Sequence, residues 1–147
     1  MKTKLILICS VVAMSLFLFA CSSVPKQASV DVSCDDFMAN NHISKEVQVA
    51  TDGTLTITLC SNPTTGFTWS ETAEISDQTV LQQTDHKLVM PEAEGDMPPP
   101  PGTPGQEVWT FKALKEGKST ISMEYTHPWE GGEEEPMLTF VLTVVVK

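Results

Sequence analysis

The sequence predicts an all-β protein, an antiparallel sandwich of about seven short strands. Three observations lead there. Apolar and polar residues alternate with period two along most of the chain, no stretch holds a long helical period, and turn residues recur about every ten positions.

Val47 and Val49 alternate with Glu46 and Gln48 and mark the first strand. Asp52-Gly53 is a turn signal, after which Leu55, Ile57 and Leu59 alternate with Thr54, Thr56 and Thr58. Phe67 and Trp69 point one way from a short third strand, and Val80 to Met90 gives a ragged fourth with Leu88 and Met90 as its inward residues. Trp109, Phe111 and Ala113 alternate with Thr110 and Lys112, and Lys115-Glu116-Gly117-Lys118 turns the chain toward Ile121, Met123 and Tyr125. Leu138 to Val146, dense in Val and Thr, forms a central or well-covered last strand. Residues 35–46 hold at most a helical turn.

The start of the chain has a different character. Lys2 and Lys4 precede an apolar run, Leu5 to Ala20, too short for a membrane span, so residues 1–20 read as an export signal peptide. Leu18-Phe19-Ala20-Cys21 has the form of a bacterial-type lipoprotein processing site, in which the Cys21 thiol would carry the lipid. The alternative is an ordinary signal peptide with an incidental cysteine. Residues 21–33 are then lipidated cysteine and tether, with a reach of roughly 35 Å when about ten residues are extended. The expected product is one domain, 34–147, held at a membrane on the periplasmic or cell-surface side.

Without Lys2 and Lys4 the chain keeps seven basic residues against nineteen acidic ones and contains no arginine. Nothing here would neutralise a row of phosphates, which argues against nucleic acid. Acidity of this kind serves solubility or attraction to a basic partner. With Cys9 in the signal and Cys21 lipidated, Cys34 and Cys60 remain. Two thiols in an exported domain favour one disulfide, the alternative being two unpaired cysteines.

Successive antiparallel strands reverse direction, so the connections after the second, fourth and sixth strands emerge at one end. The first is Ser61-Asn62-Pro63-Thr64-Thr65-Gly66-Phe67, where Pro63 biases Asn62 to extended backbone and Gly66 permits a turn that presents Thr64 and Thr65. It holds no strong acid, base or nucleophile and suits insertion into a cleft better than catalysis. The second runs from Pro91 to Gln106 and includes four consecutive prolines, Pro98 to Pro101, then Gly102-Thr103-Pro104-Gly105. Its prolines favour a partly rigid rod. The third contains His127-Pro128-Trp129-Glu130-Gly131-Gly132. A tryptophan between a proline and two glycines is placed to bury roughly 150–250 Å² against a partner.

Asn62-Pro63-Thr64-Thr65-Gly66-Phe67, Gly102-Thr103-Pro104-Gly105 with Trp109-Thr110-Phe111, and Pro128-Trp129-Glu130 occur in an order and spacing that resembles the chagasin family of cysteine peptidase inhibitors. The likeness runs from about Val47 to the end of the chain. It implies an immunoglobulin-like sandwich whose three loops fill the active-site cleft of a papain-like cysteine peptidase, reversibly and without a cofactor. It further implies that Thr64-Thr65 lies beside the enzyme's catalytic thiol, that Trp129 packs on an aromatic surface on the leaving-group side, and that the second loop lines the other side. The chain departs from the family pattern at His127, where an arginine is usual, and at Pro104, which replaces a glycine and removes a main-chain donor.

No enzymatic constellation competes with this. His42, His86 and His127 lie on separate segments without metal-ligand spacing, and His86, between Asp85 and Lys87, reads as solvated. The competing class is a surface adhesion or binding module that uses the same loop end on a non-peptidase partner, because sandwiches host many functions. The Thr64-Thr65 loop favours inhibition. The expected state is a monomer.

Overall fold

The computed structural model describes residues 23–92, 97, 99–127 and 135–147. Strand β1 (Gln27–Val32) is followed by helix α1 (Cys34–Ala39), then β2 (His42–Val49) and β3 (Thr54–Ser61). After a single 3-10 turn at Pro63–Thr65 come β4 (Thr68–Trp69), β5 (Glu74–Ile75), β6 (Leu81–Val89), β7 (Gly105–Ala113), β8 (Gly117–Thr126) and β9 (Leu138–Val146). One sheet has the order β1-β3-β7-β6, the other β2-β9-β8-β4, with β5 also on β8. Their facing sides form the core, so the all-β sandwich expected from the alternation is present.

Burial follows the period-two pattern. Leu55, Ile57 and Leu59 of β3 are fully buried, as are Trp109, Phe111 and Ala113 of β7 and Phe140, Leu142 and Val144 of β9. Trp69 meets Trp109 edge-on across the core, ring centroids 6.5 Å apart. Each buried indole N–H has an acceptor: Trp69 Nε1 donates to the Cys60 carbonyl at 2.9 Å and Trp109 Nε1 to the Glu71 carbonyl at 3.2 Å. At the Asp52-Gly53 turn Asp52 adopts φ 62°, and a Cβ on Gly53 would stand 2.6 Å from the Ala50 carbonyl oxygen. Only glycine fits that approach.

Four expectations need correction. The strands number nine among the described residues rather than about seven, and two pairings are parallel: β1 with β3 and β2 with β9. Both involve the chain ahead of Asp52, where α1 carries it from one sheet to the other. The tether assigned to 21–33 is interrupted, because Gln27–Val32 is a sheet strand in register with Thr54–Leu59. Its alternation of Ala28, Val30 and Val32 with Gln27, Ser29 and Asp31 is a strand signal, and Val30 and Val32 are buried. The segment 35–46 is a capped helix followed by the start of β2. Ser33 and Asp36 form a reciprocal capping box, and Phe37 is buried. Finally, Leu88 and Met90 are exposed, because β6 is an edge strand and a bulge between Gln83 and Asp85 shifts its phase.

Candidate functional site: the loop end of the sandwich

The chain reverses at every step from β1 to β9 except between β4 and β5, which both run antiparallel to β8, so the β3–β4, β6–β7 and β8–β9 connections share one end of the sandwich, as the sequence led us to expect. The α1 segment, between β1 and β2, belongs to that end as well. Asn62 is the residue that joins the loops. Its side-chain oxygen accepts from the Thr64 amide at 3.3 Å and the Thr64 hydroxyl at 2.7 Å, holding the turn. Its side-chain nitrogen donates to the Gly102 carbonyl at 3.1 Å, linking the β3–β4 turn to the β6–β7 connection. Its backbone amide donates to Tyr125 Oη at 3.0 Å, and that hydroxyl donates to the Asn62 carbonyl at 3.3 Å. Tyr125 lies on β8, two residues before His127.

The turn itself is closed locally. The Thr65 hydroxyl donates to the Asn62 carbonyl at 2.7 Å, and the Gly66 amide donates to the Pro63 carbonyl at 3.2 Å. Gly66 takes φ 86°, the left-handed conformation the sequence led us to expect. Thr64 and Thr65 are exposed at its tip. Phe67 is half-buried and stacks between Tyr125, at 5.6 Å, and the His127 ring, at 3.5 Å. His127 thus lies flat on Phe67.

In the β6–β7 connection, Gly102 has φ 88°, and the Thr103 amide and hydroxyl both donate to the Pro100 carbonyl, at 3.1 and 2.6 Å. Proline followed by a left-handed glycine at the centre of such a turn matches type II requirements. Pro104 is exposed, and Gly105 is buried opposite Ser61, with no room for a Cβ beside the Val89 carbonyl oxygen at 2.8 Å. The structure therefore gathers Asn62, Pro63, Thr64, Thr65, Gly66, Phe67, Gly102, Thr103, Pro104, Gly105 and His127 at one end. Pro128 and Trp129 lie outside the described residues, as does Cys21.

Cys34 and Cys60 are joined in a disulfide. It ties the first residue of α1 to the penultimate residue of β3, one step from the Ser61-Asn62 bend. Closing a segment of 26 residues stabilises by about 3–4 kcal/mol in the chain-entropy account.

One polar cluster escaped the sequence reading. Glu107 is buried on the inner face of β7, where its carboxylate accepts from the Ser61 hydroxyl at 2.7 Å and contacts His86 Nε2 at 2.8 Å. His86, expected to be solvated, is half-buried and packs on Trp109 with ring centroids 4.8 Å apart. The cluster braces the bases of two loops, since Ser61 ends β3 and β6 leads into the proline segment. Its signal was Glu107 in phase with Trp109 and Phe111. The bulge in β6 hid the matching phase of His86.

Comparison with known proteins supplies the family. Residues 48–144 match the family described as "Chagasin family peptidase inhibitor I42". Amoebiasin-2 of Entamoeba histolytica is 28% identical over 120 residues, covering 78% of this chain and 92% of the relative. The crystal structure of the cysteine protease inhibitor EhICP2, also from Entamoeba histolytica, aligns with a TM-score of 0.61 at 24% identity, over 84% of this chain and 99% of that one. PbICP-C, solved in complex with falcipain-2, aligns with a TM-score of 0.56 at 18% identity, over 82% and 99% of the two chains. These likenesses support the immunoglobulin-like sandwich, and the profile match over two thirds of the sequence decides the lineage: the chain belongs to the chagasin family of peptidase inhibitors.

Proposed function

We propose that this chain is a reversible, tight-binding inhibitor of papain-family cysteine peptidases that plugs the active-site cleft with its three loops. The observation that carries this reading is the Asn62 hub. One side chain and its backbone hold the Thr64-Thr65 turn, the Gly102 turn and β8 together, so the tip meets an enzyme already ordered. Preorganisation lowers the entropy lost on binding and favours tight association without a covalent step. The small uncharged tip offers a catalytic thiol no poised nucleophile, metal or acid, and its 3-10 geometry is not the extended backbone of a substrate. Gly102 to Gly105 and His127 accompany it at the same end, Gly102 through Asn62 and His127 through Phe67. The complex of PbICP-C with falcipain-2 supports the choice of enzyme class.

Residues 1–20 act as an export signal and Cys21 as the lipid site in this reading. With the Pro25 and Lys26 carbonyls already accepting from the Ala50 and Thr54 amides, the tether would be Ser22 to Val24, with a reach of roughly 10 Å, so the lipid would keep the domain close to the membrane. The other end of the sandwich would face the lipid only if the loops point outward, which suits capture of a peptidase approaching from solution.

Titration of a papain-like peptidase with the chain tests this. The expected result is a linear fall in activity to zero at one equivalent, with the inhibitor recovered uncut. Undiminished hydrolysis at micromolar inhibitor against several such enzymes would remove the reading and favour a non-peptidase partner.

A further inference from the structure

We propose that α1 forms a fourth contact element at the inhibitory end, presenting Met38 together with Met137 to an apolar rim beside the peptidase cleft; this rests on the inhibitor reading above. Alternating strand directions put the β1–β2 connection at the same end as the three loops. The disulfide pins α1 to the strand that runs into the Asn62–Gly66 turn, and Phe37 packs on Trp69 with ring centroids 5.3 Å apart. The helix is therefore an attached part of that end.

Between helix and loops lies a groove of about 560 Å³, lined by Phe37, Met38 and Met137 together with Thr65, Phe67 and Pro104. Because the groove shares Thr65 and Pro104 with the loop wedge, a surface pressed against the turn also meets the groove's margin. In a chain of net charge −10, no Asp, Glu, Lys or His lines it among the described residues. An uncharged lining in an acidic protein matches an apolar occupant, since a charged one would lose its hydration without gaining a partner. Met38 is 79% exposed and Met137 52% exposed, at the margin of this groove. Unbranched thioethers adjust to irregular apolar surfaces, which suits a contact at the rim of a cleft.

The test compares the native chain with Met38→Gln, Met137→Gln and the double variant, measuring inhibition constants against a papain-like peptidase and thermal midpoints in parallel. The double variant is expected to inhibit about tenfold more weakly with an unchanged midpoint, since neither side chain is in the core. An inhibition constant within twofold of native would overturn the fourth contact and leave the loop wedge standing. A native chain that fails to inhibit, with Thr65→Asp no different, would overturn both readings. A concentration-dependent dimer abolished by the double variant, with inhibition unaltered, would instead assign the groove to a second copy of the chain and overturn the proposal.

Discussion

Asn62 and Tyr125, 63 positions apart, are joined by two hydrogen bonds through one phenol: the Asn62 amide donates to Oη at 3.0 Å and the hydroxyl donates back to the Asn62 carbonyl at 3.3 Å. The pair couples a loop of one sheet's strand to a strand of the other. Tyr125 itself is buried, stacked on Phe67 and packed against Trp69.

Tyr125→Phe keeps the ring and removes both bonds, leaving the Asn62 amide without its acceptor while the Asn62 carbonyl keeps the Thr65 amide and hydroxyl. The expected cost is about 1–3 kcal/mol of stability, read from the urea midpoint. Inhibition should weaken by more than stability alone explains, because the turn loses its brace. Equal affinities for the two proteins would detach the phenol from the wedge.

The Glu107 cluster predicts a second result. Glu107→Leu leaves the buried Ser61 hydroxyl without its acceptor and removes the partner of His86, so stability should fall by about 1–3 kcal/mol. Chemical denaturation checks this. A variant as stable as the native chain would mean the cluster is held by other contacts.

The disulfide predicts a third. Cys34→Ala with Cys60→Ala should lower unfolding free energy by about 3 kcal/mol. Alkylation of the native chain should label neither residue until reductant is added. Equal labelling with and without reductant would refute the bridge.

Acid should loosen α1 in a defined window. Asp36 has its carboxyl held below the ordinary 3.8, first by the Ser33 hydroxyl and then by the Ser33 amide. A group whose folded pKa is depressed stabilises above its unfolded value and loses that contribution as pH falls through the folded one. The stability difference between native and Asp36→Asn should thus be constant at neutral pH and shrink below pH 3.8 toward zero. A difference independent of pH would contradict the capping box as its source.

Much of this was readable from particular residues. The alternation in β3, β7, β8 and β9 announces the core because each strand is covered on one face only. Pro63 and Gly66 announce the turn through their backbone restrictions, and its exposed threonines follow. What was hidden lay in long-range register. Nothing local says that Gln27–Val32 pairs in parallel with β3, since parallel partners share no turn. Reading those residues as tether removed one strand and, with it, the fourth connection at the loop end. The hub was hidden too: Asn62 looks like a turn residue, and only the fold brings it to Gly102 and Tyr125. His86 was misread because one extra residue in β6 reversed its side.

The measurement closest to the central claim is hydrogen exchange of the chain alone and in complex with a papain-like peptidase. The account predicts that protection on binding concentrates in 62–67, 99–105 and 127–129, appears in all three at the same stoichiometry, and spares the opposite-end turns at 50–53 and 115–117. Protection confined to those opposite turns, or to a single loop, would contradict a wedge made of three.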